Sequence, residues 1–399
     1  MSILTRLNPN FAAVRRVDYA ALQARIDSGS VMLGWADPFF PDPCLPPHVI
    51  AAATACLMEN GSHYTSPIGS PMLRQAIARK LARFNGLTIN PDTELIVTPG
   101  SDTGLWHAMQ VVLSPGDEVI SFVPSYPSNT RNASLMGAIN VPIALQAADD
   151  FRIDTRALQG RLTDRTKLLV LTQPNNPTGT VHSRRELEAL SEFARENDLI
   201  VIVDHAFEDL VYDGREFVTF AALPGMAERT ISVFSMSKGM AMSGFRVGYT
   251  AAPEDIMAVM HGSAVNVLGA TNTAAQAAAT AALSDSAFVD VFRDIYDRRR
   301  SLCVQLLGAV DGLRVLPPQG GLMLWLNISA LGTSQGVAGH LATDAAIIVQ
   351  PGDIFGEGGE GYIRIMLSAL RDDAAFASAI KRTAVSLAKL PPVRKQPRD

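Results

Sequence analysis

Lys238 stands in "SMSKGMAMSGFR" (235–246), between serines, among methionines and glycines, eight residues before Arg246. Only five other lysines occur, Lys80, Lys167, Lys381, Lys389 and Lys395. A surface lysine ordinarily has charged, helix-forming neighbours, and this one has none. A close, partly desolvated turn favours the neutral amine, a nucleophile that forms an imine with an aldehyde. A solvated loop lysine is the alternative, and the residues around Lys238 have to decide between the two.

Those residues collect at the ends of apolar runs. "LIVTPG" (95–100) is followed by Ser101 and Asp102, and "EVISFV" (118–123) by Pro124, Ser125 and Tyr126. "KLLVLTQ" (167–173) leads into "PNNPTG" with Asn175 and Asn176, and "LIVIVD" (199–204) ends on Asp204. "TISVFSMS" (230–237) carries Ser235 and Ser237 into Lys238 and on to Arg246, where the run "RVGYTAA" (246–252) begins. Runs this continuously hydrophobic and β-branched read as strands buried on both faces. Helical patterns separate several of them, as in "SRRELEALSEFAREND" (183–198), where Ser183 and Glu186 are spaced as a capping box. Alternating strand and helix predict an α/β fold, a mostly parallel central sheet with helices on both faces. Ligands of such sheets bind beyond the carboxyl ends of the strands, where all these residues fall.

Together they describe one ligand. Gly100-Ser101-Asp102 opening a helix offers backbone N–H groups and a positive dipole end to an anion. Ser235 adds a hydroxyl and Arg246 a bidentate guanidinium, which suits phosphate. Tyr126 can stack on a flat ring, Asp204 can pair with a cationic ring nitrogen, and Lys238 can condense with an aldehyde on that ring. A phosphorylated, basic, aromatic aldehyde is pyridoxal 5'-phosphate (PLP), the electron sink for amino-acid carbanions.

The chain resembles the class I/II aminotransferases, fold-type-I PLP-dependent enzymes, over roughly residues 30–390. The matching pieces include "YTSPIGSPMLRQAIA", "VTPGSDTG", "LSPGDEVISFVPSYP", "QPNNPTGTV", "VDHAF", "SMSKGMAMSGFRVGY", "QGGLMLWLNIS" and "QPGDIFGEGGEGYIRI". The resemblance implies that Lys238 carries the imine (Schiff base) and shuttles the α-proton, and that Asp204 keeps the pyridine nitrogen protonated. It implies that Asn176 bonds the phenolic oxygen and Tyr126 covers the ring, while Ser101, Asp102 (by its backbone N–H), Ser235 and Arg246 hold the phosphate. Tyr64 in "SHYTSP" reaches the phosphate of a neighbouring subunit on this reading, which implies a homodimer with active sites at the subunit interface. Arg364 in "GYIRI" grips the substrate α-carboxylate, with Trp35, Ala36 and Asn176 beside the substrate. The implied activity is transfer of an amino group between an amino acid and a 2-oxo acid.

Three departures keep a second reading open. The family commonly has D-x-x-Y where this chain has "DHAF", so Phe207 lacks the hydroxyl. Gln173 stands where asparagine is frequent, and Ala36 where a glycine usually nears the substrate carboxylate. Phe207 is also compatible with same-fold lyases or cyclases that perform elimination, replacement or adenosylmethionine-type γ-chemistry. His205 reads either as a partner of Asp204 or as a strand residue facing away. Trp35, Phe39, Phe40, His63, Met240 and Met242 can line a side-chain pocket or simply pack as core. No second arginine for a distal carboxylate stands out, which disfavours a strict aspartate specialist.

Composition sets the outer bounds. The 399 residues carry a net charge of −5 with 47% hydrophobic and 18% charged residues, ordinary for a folded chain. That balance gives no electrostatic reason to expect nucleic acid or an anionic membrane as partner. Cys44, Cys56 and Cys303 make neither a disulfide framework nor a metal motif, which fits a cytoplasmic setting and no metal. No signal-peptide pattern opens the chain, and the uncharged stretch 264–284 is too rich in Ala, Thr and Asn for a membrane span. The expected organisation is an N-terminal segment (1–46) packing on a small C-terminal α+β domain (286–390). A large PLP-binding domain (47–285) lies between them in sequence, and a disordered tail (391–399) follows. "GEGGEG" (356–361) reads as a turn joining two strands, since glutamates repel phosphate.

Overall fold

The computed structural model describes all residues but 1–2, 13, 15–16, 60, 393–399 and the side chain of residue 4, so most of the expected disordered tail lies outside the described residues. Seven strands form the main sheet: β1 (Leu95–Thr98), β2 (Glu118–Val123), β3 (Ile139–Ala144), β4 (Thr166–Thr172), β5 (Ile200–Asp204), β6 (Thr230–Ser235) and β7 (Gly248–Ala251). Their order is β1-β7-β6-β5-β4-β2-β3. Every pairing is parallel except those of β7, which runs antiparallel to both β1 and β6. Hydrophobic runs carry no sign of direction, so the reversal of β7 was not legible beforehand. The edge strand β3 was missed outright, because Asn140 and Pro142 break its apolar pattern and most of it is only half-buried or exposed.

Both faces of the sheet are covered, which is why its strands read as unbroken apolar runs. Leu95, Val97, Phe234 and Tyr249 pack beneath the helices Pro71–Lys80 and Thr273–Ser284. Their neighbours Ile96 and Val233 point the other way, onto Leu105, Met109, Met257 and Met260. The helix Arg184–Glu196 starts on the expected capping box, Ser183 and Glu186 each satisfying the other's backbone N–H. Residues 264–284 divide between the helices Glu254–Val267 and Thr273–Ser284, and no helix among the described residues is long and apolar enough to cross a membrane.

The C-terminal part builds its own core. The 22-residue helix Ala287–Gly308 and the helix Asp373–Leu387 cover a four-stranded sheet whose strands Met323–Asn327 and Tyr362–Met366 pair antiparallel. Tyr296, Leu324, Ile363, Ile365 and Phe376 are fully buried there. "GEGGEG" is the turn before Tyr362–Met366. Val31–Met32 pairs parallel with Ile347–Ile348, which ties the N-terminal segment to this part. The segment is not confined to it, however: Phe11 meets Trp106 of the helix Ser101–Val112 edge to face, ring centres 6.3 Å apart.

Behind the sheet, Lys80 and Glu208 form a buried ion pair, with Asn85 donating to Glu208 at 2.6 Å and accepting from Lys80 at 2.9 Å. Lys80 also lies over the Phe84 and Phe234 rings. Removing one partner strands the other charge in an apolar setting. Lys80→Met is expected to cost about 3–5 kcal/mol of unfolding free energy in a denaturant titration. A loss below about 1 kcal/mol would mean that water reaches Glu208.

Candidate active site

The carboxyl ends of β1, β2, β4, β5 and β6 deliver their following residues to one cavity of about 410 Å³. Ser101, Asp102, Tyr126, Asn176, Asp204, Ser235, Lys238 and Arg246 all line it, and Trp35, Ala36 and Arg364 close it from the N-terminal and C-terminal segments. Arg246 reaches the same edge because β7 runs the opposite way, so its first residues lie where its neighbours end.

One end of the cavity is shaped for an anion. Gly100 caps the helix Ser101–Val112 with no side-chain acceptor, which leaves first-turn N–H groups available. Its φ of +83° is left-handed, and a Cβ there would collide with the Arg246 guanidinium. A Cβ on Gly248 would fall 2.7 Å from the Ser101 nitrogen. Glycines at these two positions let a helix N-terminus and an arginine converge. Arg246 itself is held at φ +54° and donates to the Ser243 carbonyl at 3.0 Å.

The centre holds the titrating groups. Burial pushes the Asp204 carboxyl up to about 6, although it accepts from the Ala206 N–H at 3.1 Å and from Asn129 at 3.4 Å. Burial also lowers the Lys238 amine to about 8; Asp102 opposes that shift and Arg364 adds to it. The amine donates to the Ala36 carbonyl at 2.6 Å. Burial raises the Tyr126 hydroxyl and Asp102 adds to the rise, so Tyr126 stays neutral.

Arg364 is a buried guanidinium in no ion pair among the described residues. It donates to Asn176 Oδ1 and to the Gly34 carbonyl, both at 2.9 Å, lies over the Phe355 ring, and keeps a buried Nε without a partner. Burial lowers it to about 10. An uncompensated buried cation is costly alone and suits an anionic ligand. Asn176, its oxygen engaged by Arg364, has its NH₂ left to donate.

Phe207 lines the cavity, so the missing hydroxyl is missing at the site itself. His205 faces away: its ring stacks on Phe234 at 5.0 Å, and burial lowers it to about 3. Gln173 turns from the cavity to bond the His182 backbone. Of the further pocket candidates, Phe39 packs on Phe292 and Tyr296, and Met240 and Met242 are core. Phe40 only backs Trp35, and His63 is outside the cavity. Tyr64 is 98% exposed and also lies outside the cavity of its own chain. Sequence reasoning missed Asn129, which bridges Thr172 and Asp204, and the wall residues Asp37, Ser243 and Gln350.

Residues 32–382 match the family model described as aminotransferase class I and II. The putative aminotransferase YugH of Bacillus subtilis is 36% identical, over 84% of this chain and 86% of its own length. The arginine–pyruvate transaminase AruH of Pseudomonas aeruginosa is 33% identical, over 91% and 92%. Among solved structures, the aspartate aminotransferase of Thermus thermophilus with maleate superimposes with a TM-score of 0.87 at 31% identity, covering 95% of this chain and 99% of that one. The chain therefore belongs to the class I and II aminotransferases, PLP-dependent enzymes of fold type I.

Proposed function

We propose that this cavity binds PLP and moves an amino group from an amino acid to a 2-oxo acid, with Lys238 as the covalent anchor and proton carrier. The observation that carries the reading is the juxtaposition of a depressed lysine, a buried carboxyl and an unpaired buried arginine around one anion cradle. When bound, PLP supplies the electron sink that stabilises charge developing at the substrate α-carbon.

The chain's own residues do the rest. The helix N-terminus at Ser101–Asp102, Ser235 and Arg246 hold the phosphate. Asp204, kept dry, gains most from a cation and so fixes a protonated ring nitrogen against itself. Asn176 donates to the phenolic oxygen, and Tyr126 covers the ring. Arg364 takes the substrate α-carboxylate, which sets the α-hydrogen toward Lys238 Nζ. An amine near 8 is partly neutral at physiological pH, so Lys238 Nζ can take a proton from the substrate α-carbon and hold it for return within the site. The lyase or cyclase alternative has no support from the relatives named above, whose names are aminotransferases or transaminases.

The reading includes a homodimer. Tyr64, Leu57, Met58 and Met72 are exposed large side chains at or near one loop and its flanking helices, a surface a second copy would cover. Sedimentation should give twice the chain mass, and Tyr64→Phe should weaken PLP affinity; a fully active monomer would rule out the shared site.

Phe207 offers an independent probe. Phe207→Tyr places a phenol donor in the cavity and should shift the visible absorbance titration of the PLP-loaded protein to lower pH. An unchanged titration would mean that this side chain does not meet the cofactor.

A further inference from the structure

The loop from Lys238 to Arg246 carries, on the reading above, the covalent anchor at one end and a phosphate ligand at the other. The N-terminal segment pins it at two points. The Lys238 amine donates to the Ala36 carbonyl at 2.6 Å. The Ser243 hydroxyl donates to Oδ1 of Asp37, the next residue along. Within the loop, the Ser243 carbonyl accepts from Arg246 at 3.0 Å. Neighbouring residues of one segment thus clasp two points of one loop, and the Asp37 carboxylate is fixed on the same cavity wall as the Lys238 amine.

That amine shares the cavity with charged groups from every side. Asp102 comes from the helix Ser101–Val112, Asp204 from the end of β5, Arg246 from the same loop, Arg364 from the strand Tyr362–Met366 and Asp37 from the N-terminal segment. Burial lowers the amine most; Asp102 and Asp37 oppose it, and Arg364 and Arg246 add to it. Ligands answer most of these charges on the reading above: Asp204 meets the ring nitrogen, Arg246 the phosphate and Arg364 the substrate carboxylate. Asp102 sits in the first turn of its helix, whose positive end offsets its charge. Asp37 receives a neutral hydroxyl and forms no ion pair among the described residues. A hydroxyl fixes a carboxylate without discharging it, and in a poorly hydrated site that charge acts over several ångströms.

We infer that Asp37 is a positioning residue for Lys238: clasped by Ser243, it holds the Ala36 carbonyl against the amine and keeps a negative charge beside it, so that a proton taken up by Nζ stays there until it is handed on. The inference rests on the aminotransferase reading for what that proton does. The clasp and its effect on the amine stand apart from it.

The test separates charge from clasp in cofactor-free protein. Asp37→Asn removes the charge and keeps an oxygen that accepts from Ser243, whereas Ser243→Ala removes the clasp and keeps the charge. Competitive acetylation with acetic anhydride across a pH series, followed on the Lys238 peptide by mass spectrometry, should give a midpoint of about 8 in the native protein. The midpoint should fall by roughly half to one pH unit in Asp37→Asn and by less in Ser243→Ala. Deuterium exchange across residues 31–40 should quicken in Ser243→Ala and stay near native in Asp37→Asn. A midpoint that Asp37→Asn leaves in place, or one that falls equally in both variants, overturns the inference and leaves the aminotransferase reading standing. Unchanged exchange in Ser243→Ala also overturns it, since the segment would then need no clasp. The Asp37→Asn shift and the Ser243→Ala exchange, with no 2-oxo acid from any amino acid in the PLP-loaded native protein, would instead sink the aminotransferase reading and uphold the role of Asp37.

Discussion

Lys238→Ala is expected to lose at least about 10⁴-fold in turnover with every amino donor, because one amine serves as covalent anchor and as proton carrier. Its fold should survive. Lys238 lines the cavity and donates to a single carbonyl, that of Ala36, so truncation enlarges the cavity rather than opening a hole in the core. The phosphate-binding residues lie on other segments or further along the same one. Lys238→Ala should therefore still bind PLP, now dissociable by dialysis and with the spectrum of the free aldehyde. Near-normal turnover in this variant would remove Lys238 from the mechanism.

Asp204→Asn should separate stability from function. The folded-state carboxyl titrates near 6, above the ordinary 3.8, because burial penalises its charge. A group raised in this way costs stability when ionised. That cost is complete above pH 6 and disappears as the pH falls toward 4, since the folded protein binds the proton before the unfolded chain does. Asparagine never carries the charge. Without cofactor, Asp204→Asn should thus be more stable at pH 7.5 by on the order of 3 kcal/mol, with the advantage gone near pH 4. With cofactor the order reverses. The ring nitrogen loses its counter-charge, and turnover should drop at least about 10²-fold. A cofactor-free Asp204→Asn protein that melts below its parent at pH 7.5 would show that Asp204 is held by favourable contacts rather than penalised by burial.

Much of the site was legible because a parallel sheet presents ligand residues where strands stop. Ser101, Asn176, Asp204, Ser235 and Lys238 each follow or end an apolar run, and the structure gathers them around one cavity. Residues brought in from distant segments were legible only where a family motif marked them, as with Trp35, Ala36 and Arg364. Asp37 and Gln350 reach the wall only because the N-terminal and C-terminal parts fold over the sheet, and Ser243 comes from the loop between β6 and β7. Asn129 lies inside the helix Pro127–Leu135, where it reads as an ordinary polar residue, yet its amide spans Thr172 and Asp204. Apolar residues near the site were ambiguous for the opposite reason: Phe39, Met240 and Met242 suit a pocket or a core equally, and burial decided for the core. The orientation of β7 belongs to the same class, since a buried strand looks alike in both directions.

The most direct test of amino transfer is a single turnover without acceptor. PLP-loaded protein is mixed with an excess of one amino acid, and the 2-oxo acid, free ammonia and form of the cofactor are quantified. Amino transfer predicts one equivalent of 2-oxo acid per active site, no ammonia, and recovery of the cofactor as its amine. Ammonia or another leaving group released over many turnovers, with the aldehyde form recovered, would contradict it and place the chain among the lyases.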